Sequence, residues 1–347
     1  MTMTPLGNTP RFLFSVACLA AAASPYQFRA DCLNEPLCDS VISVTLQQDD
    51  AGAIIEQGQQ YLKQKEWKAA IAEFSKAIAK SPEQSEGYLG LGSAYEGLNQ
   101  WDQAIEQYGL VIAKNSKNVA AYLGRARAWS KKKELVKSLE DLESAVAIDV
   151  PGGGACFYRG MLFQIQREWA KAERDYSTVI KHRPNFPTAF TQRAYVRIQK
   201  GELAKAISDY DSAIRIDPND PETFIGRGLT YKHQKQFAKA LADYDRALAL
   251  DPNSSAALNN KAWMLATCSD TKFRDGNLAV ELAKKAVQKD PSSTILDTLA
   301  VSYAAVGDFE NAVIQLKRAL EIKDLSEAEA QELKEHLALF EKKRPYR

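Results

Sequence analysis

The chain has 347 residues, of which 45% are hydrophobic and 26% are charged, and its formal net charge is +1. This composition argues against wholesale disorder and against a membrane protein with several spans. The near-neutral charge argues against a general binder of nucleic acid or of membrane surfaces, so no nucleic-acid partner is expected.

The first 30 residues differ in composition from the rest of the chain. They contain no Asp or Glu, and Arg11 precedes the apolar run "FLFSVACLAAAA", which small residues follow. This layout predicts a signal peptide in residues 1–30, and the run is shorter than the ~20 residues of a membrane span. An uncleaved N-terminal anchor stays open as the alternative. The expected location is exported, periplasmic or secreted, with membrane contact only if the segment is retained.

Residues 31–50 predict a linker, and two of the five cysteines lie in it. Cys32 and Cys38 are close together, and export would allow them to form a disulfide that closes a small loop. Cys156 and Cys268 lie farther along, where small buried residues are the better interpretation.

From residue 51 onward, one sequence pattern returns every 34 residues. The stretch "ISDYDSAIRIDPND" from Ile207 is followed 34 residues later by "LADYDRALALDPNS" from Leu241, and earlier copies keep the same register. A fixed period of about 20 to 50 residues is typical of a stacked repeat architecture. The predicted repeat array covers 51–325, divided into 51–84, 85–118, 119–152, 153–186, 187–220, 221–254, 255–292 and 293–325.

Each repeat carries the same pattern of small and large residues. Position 8 and position 20 are small in the first six repeats, and position 24 is a large residue, as Ala206 and Tyr210 show for the fifth. Pro occupies position 32 in most of these repeats. Small residues where helices approach, a ring that fills the space beside them and a helix-ending Pro predict a helix-turn-helix hairpin.

This pattern resembles the tetratricopeptide repeat, whose sketch also includes an aromatic residue at position 11. Position 11 agrees in five of the first six repeats and departs at Arg197. The resemblance implies an all-α fold, a right-handed α-solenoid of about eight helix-turn-helix repeats. Together with the predicted signal peptide, it suggests a bacterial exported member of the family. It also implies a concave groove, lined by the first helix of each repeat, that holds a protein or peptide partner.

The end of the chain departs from the period in two places. The insertion "SDTKFRDGN" from Ser269 lengthens the inter-helix loop of the seventh repeat. Residues 326–347 begin with a capping box, Ser326 with Glu329, and predict a helix that covers the last repeat and ends in a basic tail. The apolar stripe of this helix is formed by Leu333, Leu337 and Phe340.

The first helix of each repeat has two faces on a helical wheel. Positions 4, 7, 8 and 11 form the packing face, and positions 2, 5, 9, 12 and 13 form a second face on which large apolar residues recur. These residues either line a partner groove or pack between adjacent first helices, and the sequence leaves both interpretations open. Arg127 is expected to favour an acidic partner. The candidate groove residues are Leu123, Arg127, Phe157, Met161, Tyr195, Ile225, Leu229, Lys232 and Trp263.

Charged residues also recur with the period. A track for an anionic ligand is one interpretation, but the matching number of Asp residues favours half-exposed internal ion pairs that fix the stacking register and add about 0 to 1 kcal/mol each. Basic residues occupy position 7 at Arg125, Arg159, Arg193, Arg227 and Lys261, and acidic residues occupy position 23 at Asp141, Asp175, Asp209 and Asp243.

No catalytic or metal-binding motif stands out from the repeats. The three histidines, His182, His233 and His336, fall at unrelated positions, and the run "PGGGAC" lacks the Gly-Lys-Ser/Thr of a phosphate loop. We therefore expect no enzyme, no metal site and no cofactor. The leading hypothesis is a non-catalytic scaffold for protein–protein interaction. The alternative is a regulatory or substrate-presenting subunit of an envelope enzyme complex.

Overall fold

The computed structural model describes residues 50–149, 153–323 and 325–346. The predicted signal peptide, the Cys32–Cys38 pair and nearly all of the predicted linker lie outside these residues. Within the described ranges the chain is all-helical, with 17 α-helices, one short 3-10 helix and no strand. The described chain divides into two compact units, one that ends at Glu202 and one that begins at Leu203.

The first unit contains nine α-helices, of which the first eight form four consecutive helix-turn-helix pairs. They are α1 (Asp50–Lys63), α2 (Trp67–Lys80), α3 (Ser85–Gly97), α4 (Trp101–Lys114), α5 (Val119–Lys131), α6 (Leu135–Ile148), α7 (Gly154–Ile165), α8 (Trp169–His182) and α9 (Pro187–Gln199). The pairs are α1 with α2, α3 with α4, α5 with α6 and α7 with α8, and the second helix of each pair also packs on the helix that follows it.

The second unit continues the same arrangement. Its helices are α10 (Leu203–Ile216), α11 (Pro221–His233), α12 (Phe237–Leu250), α13 (Ser255–Thr267), α14 (Gly276–Lys289), α15 (Ser293–Ala305), α16 (Phe309–Leu320) and α17 (Glu327–Glu341). Here α11 pairs with α12, α13 with α14 and α15 with α16, while α10 packs on α11 and α17 packs on α16. The predicted helix-turn-helix fold is confirmed, whereas the number and the bounds of the repeats stay predictions.

The turns within the pairs share one backbone conformation at position 15 of the predicted repeats. The following N–H donates to the carbonyl of position 11, as from Glu66 to Tyr61 at 2.9 Å. A side chain in the left-handed region costs roughly 1–2 kcal/mol, and glycine avoids this cost. The residues with positive φ at this position are Lys65, Asn99, Lys133, Arg167, Gly201, Lys235 and Gly307.

The core of each hairpin is built around the large residue at position 24. The ring of Tyr108 is buried between two glycines, Gly92 of the same hairpin and Gly124 of the next. A Cβ atom on Gly92 would lie 2.8 Å from this ring, and one on Gly124 would lie 2.4 Å from it. The contact with Gly92 explains why position 8 is small in each of the first six repeats, whereas Gly124 occupies position 6, which is not small in every repeat.

The seventh predicted repeat and the last helix show how the array ends. The inserted loop contains a 3-10 helix, Thr271–Phe273, and the ring of Phe273 packs 5.8 Å from that of Phe237. The capping box of α17 is present, because the Glu329 N–H donates to Ser326 Oγ and the Ser326 N–H donates to Glu329 Oε2. Across the described part of the chain, no helix has both the length and the apolar character that crossing a membrane requires.

Candidate functional site

The predicted groove residues divide into exposed and buried positions. Phe157 and Ile225 are buried, and the other seven are partly exposed. In the first unit the partly exposed residues are Leu123, Arg127, Met161 and Tyr195, and in the second unit they are Leu229, Lys232 and Trp263.

Phe157 and Ile225 belong to the hydrophobic core, so for these two residues the packing interpretation applies. Only 5% of Phe157 is exposed, and its ring lies 5.2 Å from Phe186 and 5.8 Å from Tyr176. Ile225 packs in a cluster with Phe224. Both residues occupy position 5 of a first helix, where large neighbouring side chains close over them.

Arg127 is already paired within the protein. Its Nη2 atom lies 3.0 Å from Oε2 of Glu96 on α3, and its guanidinium lies 5.8 Å from the ring centroid of Tyr158 on α7. Burial disfavours the charged form of Arg127, but Glu96 and Tyr108 raise its pKa above the ordinary value. Burial also raises the pKa of Glu96, although Arg127 and the Tyr108 hydroxyl both act to lower it.

An apolar patch lies on two first helices of the first unit, α7 and α9. Met161 and Ile165 are one helical turn apart on α7 and therefore share a face. Ile165 is 61% exposed. Tyr195 on α9 is partly exposed and packs in the same cluster as Met161, with its ring 6.4 Å from that of Trp169. We call Met161, Ile165 and Tyr195 the α7–α9 patch.

Ile165 is not one of the candidate groove residues. It occupies position 13 of its repeat, a position that belongs to the second face of the helical wheel. The same position is polar in the two following repeats, where it holds Gln199 and His233. The helical wheel therefore places Ile165 on the candidate groove face, but only the structure shows that its side chain is exposed to solvent.

Three of the predicted ion pairs, those of Arg125, Arg159 and Arg227, are present, and they are more buried than expected. Arg125 bonds Asp141 through Nε and Nη2 at 2.9 and 2.6 Å, and Arg159 bonds Asp175 in the same way at 2.8 and 2.7 Å. The hydrogen bonds to Asp141 raise the pKa of Arg125. The two Asp side chains are buried. Because these guanidinium groups are engaged by internal carboxylates, the ion-pair interpretation holds for them.

The same basic position also links one hairpin to the one before it. Arg227 bonds Asp243 of its own hairpin and also places Nη1 2.7 Å from Oδ1 of Asp211 on α10. Lys261 is paired with Asp245 of the preceding hairpin. These contacts connect successive hairpins, which fits a role in stacking register.

Arg197 occupies position 11, where the other five of the first six repeats have an aromatic residue. It forms an ion pair at this position. Its Nε atom lies 2.9 Å from Oε1 of Glu173 on α8, and Lys200 is paired with the same carboxylate. Burial opposes ionisation of Glu173, but its hydrogen bonds to Lys200 and Arg197 hold its pKa below the ordinary range.

Among the residues that the structure describes, no group of three or more His, Cys, Asp or Glu side chains could hold a metal ion. Cys156 and Cys268 are buried free thiols whose pKa values are raised by burial. His336, which the sequence leaves without a role, is buried on α17, and its Nδ1 atom lies 2.7 Å from Oδ1 of Asp297 on α15.

Comparisons with known families identify the repeat type. Two tetratricopeptide repeat models match residues 61–128 and 221–254, and a TPR repeat model matches residues 194–235. A search of curated proteins finds no match.

Solved structures of repeat proteins are similar to this chain. Yeast Tom70 is 18% identical with a TM-score of 0.58, over 87% of this chain and 66% of that one. The C-terminal part of a TPR repeat-containing protein from Cytophaga hutchinsonii is 19% identical with a TM-score of 0.55, over 71% and 99%. A tetratricopeptide repeat protein from Parabacteroides merdae is 17% identical with a TM-score of 0.50, over 84% and 98%. At these identities the likeness shows the fold alone.

Proposed function

We propose that this chain is a tetratricopeptide repeat protein and that it is a non-catalytic scaffold that binds a segment of a partner protein. The binding surface is the exposed face of the first helices in the first unit, centred on the α7–α9 patch. The observation that carries the proposal is the exposure of Ile165 one helical turn from Met161, which packs in the same cluster as Tyr195. Exposed apolar side chains that cluster usually mark an interaction surface.

The side chains of the patch suit a protein segment. The flexible Met161 side chain adapts to different shapes, and Tyr195 offers a ring with a polar end. The apolar centre of a protein interface is typically ringed by polar groups. Here the Arg127–Glu96 pair supplies polar groups on α5 and α3.

The Arg127–Glu96 pair also changes the expected chemistry of the partner. An acidic partner would have to compete with Glu96 for Arg127, and this competition lowers the gain from such a contact. Removing one member of this partly buried hydrogen-bonded pair leaves the other charge without its partner, which is costly. We propose that the partner segment places apolar side chains on the patch and neutral polar groups at its edge, and that it leaves the pair intact.

The proposed location is outside the cytoplasm. It rests on the acid-free segment of residues 1–30 and its short apolar run. N-terminal sequencing of the natural protein tests it. We expect a mature protein that has lost roughly the first 20 to 30 residues. An intact species in the cytosol would refute export, and an intact species in membranes would favour the anchor.

Affinity capture with matched variants tests the binding proposal. The test variant is Met161→Ala/Tyr195→Ala, and the control is Leu110→Ala/Val136→Ala, which truncates two exposed apolar residues on second helices of the same unit. An anchor residue typically contributes more than about 1 kcal/mol, so recovery of the partner should fall at least about fivefold with the test variant and stay unchanged with the control. Equal recovery by both variants, at equal melting temperatures, would contradict the proposed surface.

A further inference from the structure

Residues 342–346, which follow α17, fold back onto the second unit. Lys343 adopts the left-handed conformation, with φ of 53°. Its N–H donates to the Phe340 carbonyl at 2.9 Å, and the Arg344 N–H donates to the Leu339 carbonyl at 3.0 Å. This pair of bonds is a Schellman motif, which ends α17 and reverses the direction of the chain. The sequence predicts only a basic tail here.

The reversal places the ring of Tyr346 against two aromatic side chains. Its centroid lies 4.7 Å from that of His336 on α17 and 5.4 Å from that of Trp263 on α13, with interplanar angles of 74° and 58°. Both are favourable geometries for aromatic pairs. Trp263 is one of the predicted groove residues, so a predicted partner position is filled by this chain's own tail.

The surroundings of the ring are acidic, and the tail is basic. His336 bonds Asp297, and burial together with the charges of Glu332 and Asp297 raises the pKa of Tyr346. The tail itself reads "KKRPY" from Lys342, with its three basic residues exposed. We call Trp263, Asp297, Glu332 and His336 the tail surface.

The tail is less buried than the helix that precedes it, although Tyr346 packs against the same core cluster. Leu333 and Phe340 anchor α17 in the core, whereas Tyr346 stays partly exposed. Lys343 also carries a side chain in a backbone region that favours glycine, which weakens the reversal. Segments with few buried contacts open at low free-energy cost.

We propose that the tail surface is a second binding site for a protein segment that presents an aromatic side chain beside basic residues, and that the C-terminal tail occupies it as an internal competitor. This inference rests on the proposed binding function. A partner segment reaches Trp263 only after the tail has left. Tethering a ligand by a short linker gives an effective concentration on the order of millimolar, so the tail excludes weak ligands and admits tighter ones.

A synthetic peptide of the tail serves as the probe. The peptide EKKRPYR, residues 341–347, carries a fluorophore at its N-terminus, and its fluorescence anisotropy is measured against the full chain. In one variant, Tyr346→Ala removes the ring that occupies the tail surface. Lys343→Pro empties it in another, because proline cannot adopt positive φ and the tail then leaves α17 in a different direction. We expect the peptide to bind both variants at least about tenfold more tightly than it binds wild type.

Three controls identify the contact. Tyr346→Phe keeps a ring on the surface and should exclude the peptide as wild type does. Adding Trp263→Ala to Tyr346→Ala should abolish the gain, and so should replacing the tyrosine of the peptide with alanine. If the folded Tyr346→Ala and Lys343→Pro chains both bind the peptide no better than wild type, the tail is not a competitor and the proposal fails. A second copy as the occupant would instead appear as concentration-dependent dimers of the emptied variants, which would also overturn the proposed partner.

The peptide result is independent of the α7–α9 patch. The patch lies in the first unit and the tail surface lies in the second. Loss of capture by the Met161→Ala/Tyr195→Ala variant therefore leaves the peptide titration unchanged. Failure of the titration likewise leaves the capture experiment standing.

Discussion

Removal of the guanidinium of Arg227 should destabilise the protein far more than removal of the lysine ammonium at the same position of the next repeat. Arg227 makes two bonds to Asp243, at 2.9 and 2.7 Å, and one to Asp211 at 2.7 Å. The Asp243 side chain is only 8% exposed. Arg227→Met keeps much of the length of the side chain but leaves this carboxylate buried without its cation. Breaking a buried pair in this way typically costs about 3–5 kcal/mol. Because Arg227 keeps some contact with solvent, we expect a loss near the lower end, about 3 kcal/mol.

Lys261→Met provides the matched control. Lys261 occupies the same repeat position in the same unit, but its partner Asp245 is 58% exposed. Without Lys261 the Asp245 carboxylate stays in contact with water, as in an exposed pair, so this variant should lose less than about 1 kcal/mol. Urea unfolding followed by circular dichroism measures both, with the slope checked because repeat arrays can depart from two-state behaviour. Equal losses, or a loss below about 1 kcal/mol for Arg227→Met, would refute the role assigned to the burial of Asp243.

Three further predictions concern the packing, the turns and the last helix. Gly160→Leu should cost about 1–3 kcal/mol in the same unfolding assay, because even a Cβ atom there would lie 3.0 Å from the Tyr176 ring. Lys133→Gly should raise the stability by about 0.5–1 kcal/mol, because glycine relieves the left-handed backbone at φ 64° while it loosens the unfolded chain. Burial alone would lower the pKa of His336, but Asp297 raises it above its usual 6.5. The contribution of His336 to stability is therefore full below pH 6.5 and falls as the pH rises through the raised pKa, which unfolding at about pH 6 and about pH 8 measures.

Each of these predictions has an outcome that contradicts it. A Gly160→Leu chain that unfolds like wild type would mean that the hairpin has room beside the ring, and a less stable Lys133→Gly chain would mean that the lysine side chain outweighs the backbone cost. For His336, the difference in stability between wild type and His336→Gln carries the information. Burial lowers the pKa of His233 to about 4, so His233 gives an opposite pH dependence in both chains. An equal difference at the two pH values would refute the prediction for His336, which faces Asp297, Glu332, Glu335 and Tyr346.

The period of the sequence is enough to predict the helix pairs and the internal ion pairs. A residue type that recurs at a fixed repeat position occupies an equivalent environment each time, so the small residues beside Tyr108 and the Asp opposite Arg125 can be interpreted together. The degree of burial cannot be obtained in this way. On the helical wheel of α7, Phe157 lies on the second face, away from the packing face. Phe186, which precedes α9 and so is absent from that wheel, packs against its ring.

Two kinds of feature give no signal in the sequence. The left-handed turn position recurs through most of the array, yet it carries Lys, Arg or Asn more often than Gly, and Lys and Arg do not indicate positive φ. A contact that occurs only once in the chain cannot be predicted from the repeat period. The contact of Tyr346 with Trp263 joins residues that are far apart in the chain, and the His336–Asp297 pair forms only where α17 covers the last hairpin.

Site-specific photo-crosslinking tests the proposed binding surface most directly, because the partner need not be identified before the experiment. A photoreactive phenylalanine derivative replaces Ile165 in one chain and Val136, which is 72% exposed on α6, in the other. Both chains are expressed in the native cells and irradiated. We predict a discrete cross-linked species from Ile165 that is lost when Met161→Ala/Tyr195→Ala is added, and none from Val136. A partner cross-linked only from Val136, or equally from both positions, would contradict the account.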